Sequence, residues 1–223
     1  MRGPLRRPDR GHLSATGRQA RRPTCRGKRT RMTEKTGKIL VMGVGNPLMR
    51  DEGIGPRAVE ILMSSYVFPE HVEVVDAGTM SFMILDLLRG VDHLVIIDAV
   101  KGTEHPAGTV MRLSPEDLAS NQVMHSLHDM RIVDVLEAAD AIDRAPETVI
   151  IGMQIERIEE FVLELSPACE DALPIAVAAA LQELEALGVV PEPNPDGDID
   201  ARIIEAVRTY APMPETEFEG QDS

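Results

Sequence analysis

Three residues with chemically reactive side chains lie near the ends of predicted strands or the start of a predicted helix. Glu52 follows an apolar run and a glycine loop, Asp98 ends the most apolar run, and His128 lies near the start of a predicted helix. Two carboxylates and an imidazole gathered at one crevice would suit a borderline divalent metal ion such as nickel or zinc. They would equally suit general-base catalysis by a carboxylate. Their spacing is too long to be a metal-binding motif by itself.

Each of these residues also has an ordinary structural interpretation. Asp98 could hydrogen-bond to its own backbone where a strand ends. His128 could be an exposed helical residue on the same face as His125, and Glu52 could be a solvated residue of a first helical turn. We assign the preceding Asp51 mainly to the helix start, where an aspartate caps free amides.

The stretch around Glu52 organises the first part of the chain. Residues 39–44 form a short apolar run that predicts a buried strand, and a helix with apolar residues at helical spacing begins near residue 54. Gly43-x-Gly45 between them resembles a dinucleotide-binding loop, but Leu48 stands where the third glycine is required. Carboxylates at the helix start would also repel a pyrophosphate. A nucleotide- or cofactor-binding enzyme is therefore the weaker alternative.

The rest of the chain alternates strands with helices. Further strands are predicted at residues 72–76, 94–100, 109–113 and 148–155, and helices at 81–88, from 126 onward and at 167–187. The run at 94–100 is the most apolar and predicts the centre of the sheet, since parallel strands are covered on both faces. Together these elements predict an α/β fold with a single, mostly parallel twisted sheet and helices on both faces.

Charge divides the chain into a basic arm and an acidic body. Residues 1–31 carry eleven Lys or Arg and one acid, a net charge of +10, so the total of −14 leaves about −24 on the remainder. We expect residues 1–35 to form a disordered arm and interpret Met32 as the true translation start. The acidic body, with only 3% aromatic residues, argues against nucleic acid as a partner.

The number of cysteines and the hydropathy of the chain indicate where in the cell the protein is expected. Cys25 and Cys169 are the only cysteines and neither belongs to a CxxC, which predicts a reduced, cytoplasmic protein. No apolar run reaches transmembrane length, so we expect no membrane association. Cys169 as a thiol nucleophile is a minor hypothesis, because its acidic neighbours would raise the pKa of the thiol.

Five segments, taken in order, resemble the hydrogenase maturation endopeptidases. They read GVGNPLMRDEGIGPRAVEIL, VVDAGTMSFMILDLL, DHLVIIDAV, PAGTVMRL and SLHDMRIVDVL, and the resemblance covers about residues 38–188. It implies a three-layer αβα sandwich for the protease domain, residues 36–190. It also implies a peptidase, usually classed as aspartic-type, although the aspartates here do not form the motif of that class. Residues 191–223 then form an acidic, proline-rich tail that allows one short helix.

The same resemblance implies an activity and a site. Such enzymes remove a C-terminal extension from the large-subunit precursor of nickel-iron hydrogenases once nickel has been inserted. Glu52, Asp98 and His128 take the positions of the catalytic, metal-contacting residues of the family. The nickel is carried by the substrate and is held weakly or not at all by the free protease. A non-catalytic chaperone that senses nickel through the same three residues is the remaining alternative.

A second loop is implied to bind the substrate. The Asp-Gly-Gly-Thr loop of the family corresponds here to Asp76, Ala77, Gly78 and Thr79, with Ala77 in place of a glycine. We therefore predict a substrate-binding role for Asp76, Gly78 and Thr79.

Overall fold

The computed structural model describes residues 37–79, 83–119, 124–125, 132–142 and 144–211. The strands are β1 (Ile39–Val44), β2 (Tyr66–Val67), β3 (Val72–Gly78), β4 (His93–Lys101), β5 (Val110–Leu113), β6 (Met124–His125), β7 (Glu147–Gln154) and β8 (Glu192–Pro193). The helices are α1 (Ile54–Ser65), α2 (Ile84–Leu87), α3 (Pro115–Ala119), α4 (Ile132–Ile142), α5 (Pro167–Ala186) and α6 (Ala201–Thr209). A 3₁₀ turn, Arg50–Gly53, precedes α1.

The main sheet has the strand order β3-β1-β4-β7-β5, with β6 paired to the end of β4. Strands β3, β1, β4 and β7 are parallel, whereas β5 pairs antiparallel with β7 at one edge. The predicted fold class is thus confirmed, with the most apolar strand, β4, at the centre.

No helix in the described ranges is long and apolar enough to cross a membrane. The cytoplasmic location stays a prediction.

Side chains of successive residues on β1 enter two different cores. Ile39 and Val41 belong to the core that includes residues of α1 and α5, whereas Leu40 and Met42 belong to the core that includes residues of α2 and α4. This alternation follows from the two-residue period of a strand. Helices therefore cover both faces of the sheet, and the three-layer arrangement is confirmed.

Some local structure departs from the sequence-based expectation. Helix α2 begins at Ile84 with Met83 at its N-cap position, three residues later than predicted. Residues 81 and 126, where two helices were predicted to begin, lie outside the described residues. Helix α3 was not predicted, although its start carries a capping box. There the Asp117 carboxylate accepts the Ser114 amide at 2.7 Å, and the Asp117 amide donates to the Ser114 hydroxyl at 3.3 Å.

The segment after residue 190 packs on the rest of the chain. Strand β8 pairs antiparallel with β2, and the Asn194 amide donates to the Ser65 carbonyl oxygen at 2.9 Å. Helix α6 packs against α5 and buries Ile203 and Ala206 in the core. The described part of this segment therefore adds apolar contacts to the α1 and α5 layer. The predicted domain boundaries stay a prediction.

Glycines allow α1 to begin directly against the ends of two strands. A Cβ atom at Gly55 would lie 2.5 Å from the carbonyl oxygen of Ile97 in β4 and would overlap the carbonyl oxygen of Val44 in β1. A Cβ atom at Gly43 would overlap the carbonyl oxygen of Gly55. Backbone contacts at this distance exclude any side chain. The close approach places the turn before α1, which carries Glu52, over the carboxyl ends of β1 and β4.

Replacing Gly55 with alanine should test this contact. Because the new methyl group meets backbone rather than a flexible side chain, we expect the free energy of unfolding to fall by about 3 kcal/mol in denaturant titrations. Gly90→Ala is the matched control, since it has a φ of 68° but nothing near its Cβ position. That change should cost only about 1 kcal/mol. If Gly55→Ala and Gly90→Ala lowered the free energy of unfolding equally, the proposed steric role of Gly55 would be contradicted.

Candidate active site

Glu52 lies in the 3₁₀ turn between β1 and α1 and is buried, with 1% of its surface exposed. The turn is closed against the glycine loop, because the Asn46 amide donates to the Glu52 carbonyl oxygen at 3.2 Å. Gly45 has a φ of 142°, and a Cβ atom there would overlap that same oxygen. The interpretation of Glu52 as a solvated first-turn residue is therefore wrong.

Asp98 lies within β4, three residues before the strand ends, and is 4% exposed. Its Oδ1 accepts the amide of Ala99 at 2.7 Å, which is the backbone bond expected from the sequence. The strand does not end there, because pairing with β7 continues through Val100. By strand alternation Asp98 shares a face with Ile96 and Val100, which belong to the core beneath α2 and α4.

Glu52 and Asp98 are positioned by neighbouring parallel strands at the carboxyl edge of the sheet. Strand β1 pairs with β4, and the turn carrying Glu52 contacts β4. This edge is where open α/β sheets bind their ligands. One buried carboxylate in the turn after β1 and one near the end of β4 are therefore placed at the same edge, where an arriving cation would find little competing water.

His128 lies outside the described residues, and its predicted role is not tested. Strand β6 brings His125 opposite Val100 near the end of β4. Val100 is two residues from Asp98, and His125 is three residues before His128. Within the described ranges, no group of three or more His, Cys, Asp and Glu side chains could hold a metal ion. Glu52 and Asp98 are the members of the predicted three-residue site that lie in the described ranges.

Asp51 does not cap a helix, and this assignment was wrong. Neither the 3₁₀ turn nor α1 has a side-chain cap. The fully buried Asp51 carboxylate instead accepts the Ser166 amide at 2.6 Å and the amides of Glu156 and Arg157 at 3.2 Å each. These three donors lie at the two ends of the loop between β7 and α5. No local pattern could have identified them, since they are more than a hundred residues away in sequence.

The glycine loop lies beside the last residues of β3, Asp76 to Gly78, and Thr79 follows them. The Asp76 carboxylate accepts the Gly78 amide at 2.8 Å, Gly78 has a φ of 52°, and the Gly45 amide donates to the Gly78 carbonyl oxygen at 3.0 Å. Ala77, which replaces a glycine, is the extra residue of a bulge between β1 and β3 and is buried in the core. Asp76 and Thr79 are exposed. A substrate-binding role for this loop stays a prediction.

Cys169 is buried near the start of α5 and is the free thiol in the described part of the chain. Burial raises the pKa of this thiol, and the negative charge of Asp51 raises that pKa further. The thiol therefore stays protonated near neutral pH. A nucleophile must be exposed and largely ionised, so these observations argue against the thiol hypothesis.

Loss of the Asp51 carboxylate should destabilise the protein without any change in helix capping. Asp51→Ala leaves the buried Ser166 amide without its acceptor, and we expect the free energy of unfolding to fall by about 3 kcal/mol. The exposed Asp171 on α5 provides the control, and Asp171→Ala should change stability by less than about 0.5 kcal/mol. Denaturant titrations of both variants test this, and similar stabilities would show that the three hydrogen bonds contribute little.

Cys169 should resist thiol reagents in the folded protein. In a Cys25→Ser variant, Cys169 is the only thiol, and its labelling requires the structure to open. We expect labelling more than about 1,000-fold slower than in denaturant, with little gain on raising the pH to about 9. The measurement is the rate of reaction with a chromogenic disulfide. Rapid labelling at neutral pH would contradict the burial of this thiol.

Comparison with known proteins places the chain in a family. A family model described as hydrogenase maturation protease matches residues 56–183. The hydrogenase 2 maturation protease of Escherichia coli K12 is 35% identical over 156 residues, which cover 68% of this chain and 93% of that relative.

Solved structures agree with these sequence matches. The hydrogenase maturating endopeptidase HybD from E. coli has a TM-score of 0.66 and 34% identity, covering 72% of this chain and 99% of the other. The nickel-iron hydrogenase maturation protease HybD from Thermococcus kodakarensis has a TM-score of 0.56 and 27% identity, covering 66% and 98%. The chain therefore belongs to the hydrogenase maturation proteases and is a peptidase.

Proposed function

We propose that this protease removes a C-terminal extension from the large-subunit precursor of a nickel-iron hydrogenase after nickel has been inserted. The observation that carries the proposal is the burial of Glu52 and Asp98 at one sheet edge in a chain of this family. Hydrolysis adds water across one peptide bond, with the oxygen going to the carbonyl carbon and a proton to the leaving nitrogen.

His128 is the proposed third member of the site. It lies three positions after His125, whose backbone pairs with Val100, and three steps along the chain span at most about 11 Å. That length allows an approach to Asp98 from the side of β6. Imidazole is a good ligand for nickel, whereas carboxylates are better suited to harder cations. His128 would therefore supply most of the affinity for a nickel ion.

The nickel enters as part of the substrate. Two carboxylates and one imidazole lack a thiolate, and the Irving–Williams order gives such a set no preference for nickel over copper. Selectivity then comes from the cysteine thiolates of the precursor, which hold the metal first. Contact with Glu52, Asp98 and His128 fixes the precursor in one orientation, and orientation of this kind lowers a reaction barrier substantially.

Two roles remain for the carboxylates once the precursor is clamped. A metal-bound water can attack the peptide carbonyl at neutral pH, with the carboxylates fixing its position. Alternatively, Glu52 or Asp98 takes a proton from an attacking water as general base. The aspartic-type classification corresponds to the second route and is part of this proposal.

Neutral replacements of the two carboxylates should abolish processing while keeping the fold. Glu52→Gln and Asp98→Asn keep side-chain volume but remove the charge, so we expect at least about 100-fold slower cleavage of nickel-loaded precursor. Precursor without nickel should stay uncut by the unaltered protease, and His128→Ala should remove the response to nickel. The measurement is mass loss at the C terminus of the co-expressed precursor.

Glu60→Gln is the matched control, because Glu60 is an exposed carboxylate on α1. It should cleave nickel-loaded precursor at the unaltered rate. Efficient cutting of nickel-free precursor would overturn the metal clamp. Normal cleavage by both Glu52→Gln and Asp98→Asn would overturn the site itself.

A further inference from the structure

Three large apolar side chains are exposed beside the turn that carries Glu52. Leu48, Phe161 and Leu163, here called the apolar patch, are 52%, 85% and 51% exposed. Single exposed apolar residues are ordinary on protein surfaces. These three belong instead to two loops that run side by side, since the Phe161 amide donates to the Leu48 carbonyl oxygen at 2.8 Å. The adjoining residues Met49 and Val162 form a parallel bridge.

The two loops of the apolar patch are fixed from several directions. Asp51 accepts amides at both ends of the loop between β7 and α5. The Arg57 guanidinium donates to the Leu163 carbonyl oxygen, and that of Arg50 lies 3.4 Å from the Glu159 carboxylate. These bonds fix the backbone from which the exposed side chains project before any partner arrives. A prearranged surface loses less entropy on binding than a mobile one.

Backbone strain is concentrated at the same place. Arg50 and Phe161 are the non-glycine residues with positive φ in the described ranges, at 53° and 61°. Bulky residues adopt this conformation rarely, and it persists where surrounding contacts enforce it, often at ligand-binding segments. At Phe161 this backbone conformation coincides with a ring that is 85% exposed to solvent.

The rim of the apolar patch is acidic. Residues 156–164 contain exposed Glu156, Glu159, Glu160 and Glu164 and one exposed base, Arg157. The partly buried Arg50 and Arg57, which bond to this segment, bring the net charge of the whole group to −1, but four of its five fully exposed charges are acidic. Such a rim attracts a partner with Lys or Arg and repels acidic surfaces. In a symmetric dimer formed through the patch, the rim would face its own copy. A second copy of this chain is therefore disfavoured as the occupant.

We propose that the apolar patch binds a segment of the hydrogenase large-subunit precursor in which apolar side chains stand between Lys or Arg residues. This inference rests on the proposed function. Leu48 precedes Glu52 by only four residues, and the Asn46 amide donates to the Glu52 carbonyl oxygen. The bound segment therefore lies next to the bond that is cut, and the patch contributes to the choice of substrate.

The test is the affinity of a non-cleaving protease for nickel-loaded precursor. In a Glu52→Gln background, Phe161→Asn with Leu163→Ser removes the apolar groups, and asparagine tolerates the positive φ at position 161. We expect binding to weaken at least about tenfold. The control is Ile142→Ser with Val190→Ser, which removes one exposed apolar group at the end of α4 and another shortly after α5, at the opposite end of the sheet. It should weaken binding less than about twofold.

The acidic rim has its own test. Glu160→Lys with Glu164→Lys should weaken binding at low ionic strength and reduce its dependence on salt, because the attraction to basic residues is lost. Thermal melts of every variant check that the fold is intact. Unchanged affinity and salt dependence would overturn the assignment of a basic partner segment.

Failure of this inference and failure of the proposed function give different results. If the unaltered protease cuts the precursor and the patch variant binds as tightly as the control, only the patch proposal is overturned. If the unaltered protease does not cut nickel-loaded precursor, the proposed function fails, while binding still decides the role of the patch. One further result would assign the patch to another occupant and overturn the proposal: a dimer that the patch variant converts to monomer.

Discussion

The hydrogen bonds of the Asp51 carboxylate join the two loops on which the candidate site depends. A charge that is fully buried is costly unless donors surround it, and here three backbone amides do so. Moving either loop would break one or more of the hydrogen bonds that these amides donate to the Asp51 carboxylate. The position of Glu52, the next residue, is therefore coupled to the loop between β7 and α5. The acidic pair has divided roles, with Asp51 holding the structure and Glu52 facing the sheet edge.

The glycines around Glu52 serve backbone packing rather than phosphate binding. At Gly45, the position of a Cβ atom is filled by the carbonyl oxygen of Glu52, and at Gly55 by the carbonyl oxygens of two strands. In a dinucleotide-binding loop, the missing side chain leaves room for a pyrophosphate. Here an electronegative oxygen occupies that room at Gly45. The nucleotide-binding alternative therefore fails for a steric and electrostatic reason as well as for lack of a third glycine.

The sequence predicted those features that have a local signature. Strands β1, β4 and β7 each contain an apolar run, and the strand predicted at residues 109–113 is present as β5 at an edge of the sheet. Two-residue strands such as β2 and β8 have no period to detect. The capping box at Ser114 was present in the sequence and was overlooked. The role of Asp51 could not be found, because its donors are distant along the chain and supply only backbone amides.

The proposed mechanism places two separate demands on a substrate. Glu52 and Asp98 are 1% and 4% exposed, so an ordinary extended peptide gains little from them without a cation between. In this proposal, the apolar patch near Glu52 recognises side chains and is indifferent to metal. When two contacts are made by one molecule, the second becomes intramolecular and the combined affinity far exceeds either one. A protein that carries nickel but lacks the apolar segment would contact only the carboxylates. A protein that has the segment but no nickel would contact only the apolar patch. Restriction to one loaded precursor then needs neither a selective metal site nor a deep specificity pocket.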